Sequence, residues 1–429
     1  MSFARPLVWS WLFALALPLA PLAAPDQSAS DTSWCHSLLG GTNVTILLVA
    51  DVGTFTGIAE GSYYAQALQN RATVDPGSTP CDSWSYGTIF GQQVALIATG
   101  IGPVNAGICT THLLRCGSFI KEVIFSGTAG FSAQVGGAVD PSDCTTPNYD
   151  GAPVKLGDVC ITPFAVNWDC RLGSFNQSCA EYPNQCGAPG YDVGPNVSSM
   201  FGQCFFDMYA KADLELSNEL INATVRPPPA SSVGVSFPTP ASYLTNYSST
   251  YWGLQSASSA YPLLTAPTLT NSAPNVWNYT VCAETDSQYF WTSLPWDYLG
   301  RSYISMTIKH ALNRSADASN VLAVSAEEGV GFLAAMYKYA GTTGGRMIPH
   351  TQIRSNSDYT YLPLQWDGAD LWTEDTSLKA INFTQSFSFA IGTMSSAVLR
   401  MLQTRCVRTN GAASPTCSLS AGQGVTYTP

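Results

Sequence analysis

Three short runs of uninterrupted apolar residues, each stopped by a turn of small residues, constrain this 429-residue chain most. They are Thr45 to Ala50 (TILLVA), Val94 to Thr99 (VALIAT) and Val123 to Ser126. Such runs read as strands covered on both faces, since a strand with one wet face would alternate. The second run ends in Gly100-Ile101-Gly102, and Pro103 then stands where a helix through Arg115 begins. The third ends in Gly127-Thr128-Ala129-Gly130. A helical pattern over 57–70 follows the first run. Regular patterns resume with helices over 202–222, 298–313 and 327–339, strands over 320–325 and 351–354, and a long helix near 384–402. Strand, small-residue turn and helix in this order predict an α/β protein, a three-layer α-β-α sandwich with a mixed, largely buried central sheet.

Length at about 150 residues per domain suggests two or three domains. The pattern favours one, spanning 43–410. Residues 132–200 are rich in Cys, Pro, Gly and Asn, apart from one strand-like piece, Asp158 to Thr162, and residues 226–280 in Pro, Ser, Thr and Tyr. Neither carries enough apolar pattern to bury its own core, so both read as irregular insertions, the first stapled by disulfides. Residues 25–42 read as a flexible leader and 411–429 as a loose tail. In residues 1–24, Arg5, the apolar stretch Leu7 to Leu19 and the small residues Ala20, Ala23 and Ala24 read as a cleaved signal peptide. The alternative, an uncleaved membrane anchor, has an apolar run shorter than the ~20 residues a span needs.

Two further features agree with export. Thirteen cysteines all lie beyond residue 24, and Cys160, Cys170, Cys179 and Cys186 cluster in one irregular stretch. The odd count leaves at least one unpaired, and Cys109, in an apolar helical pattern, is a candidate buried thiol. N-x-[ST] sequons stand at Asn43, Asn176, Asn196, Asn222, Asn246, Asn278, Asn313 and Asn382. The expected location is extracellular or the endomembrane lumen, with no stable membrane anchor. Only 11% of residues are charged, against roughly 25% in an average protein. The net charge of -11 argues against binding nucleic acid, which needs a basic surface. With no C-x-x-C pair and four histidines, a metal site is not expected.

Ligands of open α/β sheets sit at the carboxyl ends of strands. Those ends here carry Asp51, Thr99-Gly100-Ile101-Gly102, Gly127-Thr128-Ala129-Gly130, Ser325 before Glu327-Glu328, and Arg354 before Ser355-Asn356-Ser357-Asp358. Taken singly, a strand-end acid also serves as a turn or helix cap, and a glycine turn as a tight connection. Taken in order, TGIGPVNAG (Thr99 to Gly107), IFSGTAGF (Ile124 to Phe131), LGDVCIT (Leu156 to Thr162), AEEGVG (Ala326 to Gly331) and IRSNSD (Ile353 to Asp358) resemble the nucleoside phosphorylase and methylthioadenosine/adenosylhomocysteine nucleosidase superfamily. The likeness covers about residues 43–165 and 279–404. It is nearest to the secreted plant branch of bark-storage and cytokinin-riboside phosphorylase-like proteins.

The resemblance implies cleavage of the N-glycosidic bond of a purine-type nucleoside, with no cofactor and with inorganic phosphate as a possible co-substrate. Ser357-Asp358 matches the pair whose aspartate protonates the purine N7. Glu328 matches the ligand of the ribose 2′ and 3′ hydroxyls, and Glu327 stands where a methionine packs against the sugar. Tyr289-Phe290-Trp291 is the expected source of a ring stacked on the base, though three aromatics in a row also suit a core. Thr99, Gly100 and Gly102 line the sugar or phosphate side, and Thr128 and Ala129 lie near the base. The chain departs from the family after strand one. Asp51 is the nearest acid to the usual water-activating glutamate, and no arginine stands in 54–57 or 100–103 for a phosphate. The competing reading is therefore a catalytically impaired nucleoside-binding or storage glycoprotein. A homo-oligomer is possible in either case.

Overall fold

The computed structural model describes residues 29–50, 59–136, 151–167, 172–173, 191–192, 214–226, 235–240, 273–287, 294–314, 320–343, 347–360 and 383–419. Eleven strands form one mixed sheet: β1 (Val44–Val49), β2 (Gln69–Thr73), β3 (Ser83–Ile89), β4 (Gln92–Ala98), β5 (Ile120–Phe131), β6 (Val159–Thr162), β7 (Ala165–Asn167), β8 (Val276–Asn278), β9 (Cys282–Asp286), β10 (Leu322–Ala326) and β11 (His350–Tyr359). The main order is β8-β6-β11-β5-β1-β4-β3-β2. Strands β4, β1, β5 and β11 run parallel at its centre. The far end of β5 also pairs antiparallel with β10, which continues through β9 to β7.

All six residues of β1 are buried, and successive side chains enter different layers. Leu47 and Val49 join Leu96, Ile124 and Ile353 under α2 (Ser62–Ala67), α4 (Leu214–Val225) and α7 (Phe383–Asn410). Ile46 and Leu48 join Ala95, Ile97 and Phe125 under α1 (Ala29–Leu39), α3 (Pro103–Leu114) and α6 (Gly329–Thr342). A third cluster seats α5 (Leu294–Leu312) against β7, β9 and β10 through Tyr303, Ile304 and Ile308. The three layers and the mixed sheet are those the apolar runs predict. No helix among the described residues is long and apolar enough to cross a membrane.

Several boundaries differ from expectation. The leader over 25–42 holds helix α1, anchored by Leu38 and Leu39 in the core and by the Trp84 indole donating to the Leu38 carbonyl at 2.8 Å. The helix expected over 57–70 is cut to Ser62–Ala67, and Gln69–Thr73 turns into an edge strand. The tail is fixed as far as residue 419, because Cys417 is bonded to Cys406 and buried. Both insertions supply strands to the sheet, the expected β6 together with β7 from the middle of one and β8 from the end of the other. Cys109 is no free thiol: it pairs with Cys81. Cys160 pairs with Cys282 across β6 and β9 instead of stapling its neighbours in sequence. Cys35–Cys116 joins α1 to the segment after α3.

Candidate active site

The carboxyl ends of β1, β5, β9, β10 and β11 converge on a buried group of carboxyls around one guanidinium. Arg354, in the middle of β11, is wholly buried. It donates from Nε to Glu284 Oε1 at 2.9 Å and from Nη2 to Glu284 Oε2 at 3.2 Å. Its Nη1 lies 3.1 Å from Glu328 Oε2. Burial opposes the charge on Arg354, but Glu284 and Glu328 more than offset that and hold its pKa above the usual value. The β5 residue opposite Arg354 is Gly127. A Cβ there would collide with Nη1 and come within 3.3 Å of Glu60 Oε1, so only glycine leaves the guanidinium its path.

Glu328 stands immediately before α6 and is buried, and its side chain turns away from the helix's own N–H groups. Its other oxygen accepts the Gly102 N–H at 3.3 Å, from the turn that opens α3. That contact depends on how closely α3 and α6 cross. A Cβ on Gly331 would overlap the Pro103 carbonyl. Gly102 itself has φ +93, and Gly100 φ +85, both in the region that glycine adopts without strain.

Glu60 completes the group. It lies beyond β1, fully buried, and accepts the Ala50 N–H at 3.0 Å, the Thr128 N–H at 2.7 Å and the Thr128 hydroxyl at 3.1 Å. Desolvation, followed by the nearby charge of Glu328, pushes its pKa up to about 7, against the pull of Arg354 and the two N–H donors. On β9, Asp286 Oδ2 accepts the Val330 N–H at 2.9 Å and so fixes the first turn of α6. Asp286 is also hydrogen-bonded to Glu284, and burial followed by that neighbour's charge raises it well above an ordinary aspartate. Burial raises Glu284 as well, against Arg354.

Four residues after Arg354 on β11 stands Asp358, also buried. The register with β5 slips between Asn356 and Asp358, which makes Ser357 the extra residue of a bulge. The Ser357 hydroxyl lies 2.8 Å from Asp358 Oδ1 and 3.3 Å from the Ala129 carbonyl oxygen. Burial pushes the Asp358 pKa up to about 6, and the Ser357 hydrogen bond opposes it only in part. Asn356 is held from behind, its N–H on the Asp158 carbonyl at 2.8 Å and its side-chain amide on the Lys155 carbonyl at 3.1 Å.

Of the residues singled out from sequence, the structure joins Gly102 to Glu328 by a hydrogen bond, sets Thr128 on Glu60 beside the same guanidinium, and places Ser357, Asp358 and Ala129 together on the paired β5 and β11. Thr99 turns its hydroxyl to the Gly100 carbonyl at 2.9 Å, bracing its own turn. Glu327 is half-buried beside Glu328. Asp51, Tyr289, Phe290 and Trp291 lie outside the described residues. Sequence reasoning missed Glu60, because 57–70 carries helical periodicity and an acid there reads as a solvent-facing helix residue. A signal was present: Glu60 is a lone acid in Ile58-Ala59-Glu60-Gly61, soon after a buried strand. Glu284 and Asp286 were missed for the same kind of reason, two acids inside a strand too short to show a period.

Together these features define a three-layer α/β protein with a buried carboxylate–arginine site at its strand ends. Residues 54–140, which hold Glu60, the Thr99–Gly102 turn and the Gly127–Gly130 turn, match the family model described as the phosphorylase superfamily. Among solved structures, the chain is similar to the 5′-methylthioadenosine/S-adenosylhomocysteine nucleosidase of Neisseria meningitidis in complex with methylthio-immucillin-A, at 14% identity over 84% of this chain and 98% of that one, TM-score 0.40. It is also similar to a nucleosidase of this kind from Colwellia psychrerythraea bound to adenine, at 14% identity over 85% and 96%, TM-score 0.39. A third likeness is to a putative one from Borrelia burgdorferi, also bound to adenine, at 16% identity over 84% and 99%, TM-score 0.40. No curated protein matches the chain.

Proposed function

We propose that the protein hydrolyses the N-glycosidic bond of a purine-type nucleoside in an exported, oxidising setting. The observation that carries this reading is the pair of buried carboxyls with pKa values near neutrality, Asp358 on β11 and Glu60 beyond β1. Breaking the bond leaves the electron pair on the base and positive charge on the sugar. Asp358, protonated, gives its proton to the departing base nitrogen, and Ser357 orients its carboxyl. Glu60, ionised, takes a proton from the water that attacks the anomeric carbon. Glu328 accepts hydrogen bonds from ribose hydroxyls while Arg354 balances its charge.

Water suits this site better than phosphate. Glu60, Glu284, Asp286 and Glu328 surround Arg354, and its guanidinium is already engaged by Glu284 and Glu328. Residues 51–58 bring no lysine or arginine. A phosphate dianion would meet an excess of negative charge. Export is supported by four disulfides among the described residues and by the exposure of Asn43, Asn222 and Asn313 among the sequons.

The test is release of free base from adenosine, inosine, methylthioadenosine and cytokinin ribosides, with and without phosphate. Phosphate-independent release is expected, falling about 10²- to 10⁴-fold in Asp358→Asn. Binding without turnover would sink the catalytic reading in favour of a nucleoside-binding or storage protein. Release only with phosphate would replace hydrolysis by phosphorolysis.

A further inference from the structure

Glu60 and Glu328 look to one cation, and that cation is gripped from behind. Glu284 takes two of the three guanidinium nitrogens of Arg354 in a fork, leaving Nη1 alone to face Glu328 and, past Gly127, Glu60. We propose that Glu284 is a positioning residue: by holding the Nε–Nη2 edge of Arg354, it fixes how much of that cation's charge reaches Glu60, and so the pH at which Glu60 ionises. Asp286 ties the fork to the site. It bonds both Glu284 and the Val330 N–H, which sets the first turn of the helix that begins just after Glu328.

The direction follows from the charges facing each group. Around Glu60 stand Arg354 on β11, Glu328 at the head of α6, the Thr128 N–H and hydroxyl on β5, the Ala50 N–H after β1, and Tyr64 on α2. Around Glu284 stand Arg354, Glu328 and Asp286. Removing the negative charge of Glu284 frees Arg354 to neutralise Glu60 and also lessens the repulsion on it. Both effects make Glu60 ionise at lower pH. Asp286 is the group placed to take over a lost charge, so the double variant Glu284→Gln/Asp286→Asn gives the larger effect.

The claim about ionisation rests on the Glu284–Arg354 fork and on Glu60 and Glu328 sharing that guanidinium, whereas its consequence for rate rests on the hydrolytic reading. The test is therefore carboxyl NMR titration of the full chain labelled with ¹³C at glutamate side chains, with the Glu60 signal assigned by its loss in Glu60→Gln. The Glu60 midpoint should fall by about one pH unit or more in the double variant and by less in Glu284→Gln. It should stay near the wild-type value in Glu284→Asp, which keeps the charge. The acid limb of base release should move with it. An unmoved midpoint in the double variant, or an equal fall in Glu284→Asp, overturns the proposal. Should the double variant fail to fold, the isosteric Glu284→Gln decides alone, and its midpoint must fall. A midpoint that moves as expected in a protein releasing no base leaves this assignment standing and removes the proposed function. Active protein with an unmoved midpoint does the reverse.

Discussion

Asp358 and Glu60 are asked for opposite things by the reaction. Asp358 must hold a proton and Glu60 must have lost one, yet burial sets the first at about 6 and the second at about 7. The competent form, acid protonated and base ionised, is then a minority species at every pH. The rate should follow a narrow bell centred midway between those two values, measured as kcat/KM for base release. A flat plateau over two pH units would contradict the assignment. Stability responds to the same proton. Glu60 binds it more tightly folded, at about 7, than unfolded, near 4.5. Its contribution is therefore fully present below 4.5 and is lost as pH rises through 7, by about 3 kcal/mol. Glu60→Gln should gain stability on wild type in denaturant melts at pH 8.5 and show little gain at pH 4.5. Of these residues Asp358, Ser357 and Glu328 were legible, because each follows a strand in a short motif. Glu60, Glu284 and Asp286 were not, because what makes them functional is burial beside Arg354, and a sequence shows neither burial nor partner.

At the scale of elements, strand cores were legible and strand ends were not. The apolar pattern of β11 stops at Arg354, but the strand continues to Tyr359, with Arg354, Ser355, Asn356 and Ser357 all buried. Buried polar residues in a strand look like loop until their partners are known. The bulge at Ser357 also breaks the two-residue alternation that would have extended it. The crossing of α3 and α6 has a similar character. Glycine inside a helix costs about 1 kcal/mol relative to alanine, so Gly331→Ala would stabilise α6 if propensity decided the matter. Contact decides it here, since the new methyl would overlap the Pro103 carbonyl, and backbone cannot move aside as a side-chain tip can. Overpacking costs about 1–3 kcal/mol. The substitution should therefore destabilise the protein in urea melts. It should also raise KM for the nucleoside, because pushing α6 away parts Glu328 from the Gly102 N–H. A variant as stable as wild type would show that the crossing has slack.

At the scale of the molecule, few charges and many cysteines are two sides of one arrangement. With 11% of residues charged and a cluster of those buried at the site, the surface has little electrostatic help, and covalent ties carry part of the stability. The cysteine count was legible and the pairing was not, because connectivity joins residues distant in sequence and close in space. Two of the ties bear on α3. Cys81–Cys109 closes a span of 28 residues and holds its middle, and Cys35–Cys116 closes 81 and holds the segment after it. Loop-closure entropy assigns the first about 3.5 kcal/mol and the second about 4.5 kcal/mol. Cys81→Ala/Cys109→Ala should accordingly lose about 3–4 kcal/mol in urea unfolding, with a larger m-value as the denatured chain expands. Both half-cystines are buried, so part of any loss belongs to packing. Reductant opens the other disulfides in wild type and variant alike, so comparing the two with reductant present separates the contributions. If the two reduced proteins are equally stable, the loss in the oxidised variant comes from the missing covalent link. If the reduced variant falls below reduced wild type by the whole of that loss, these cysteines serve the core as apolar side chains, and α3 does not depend on the bond to hold Gly102 against Glu328.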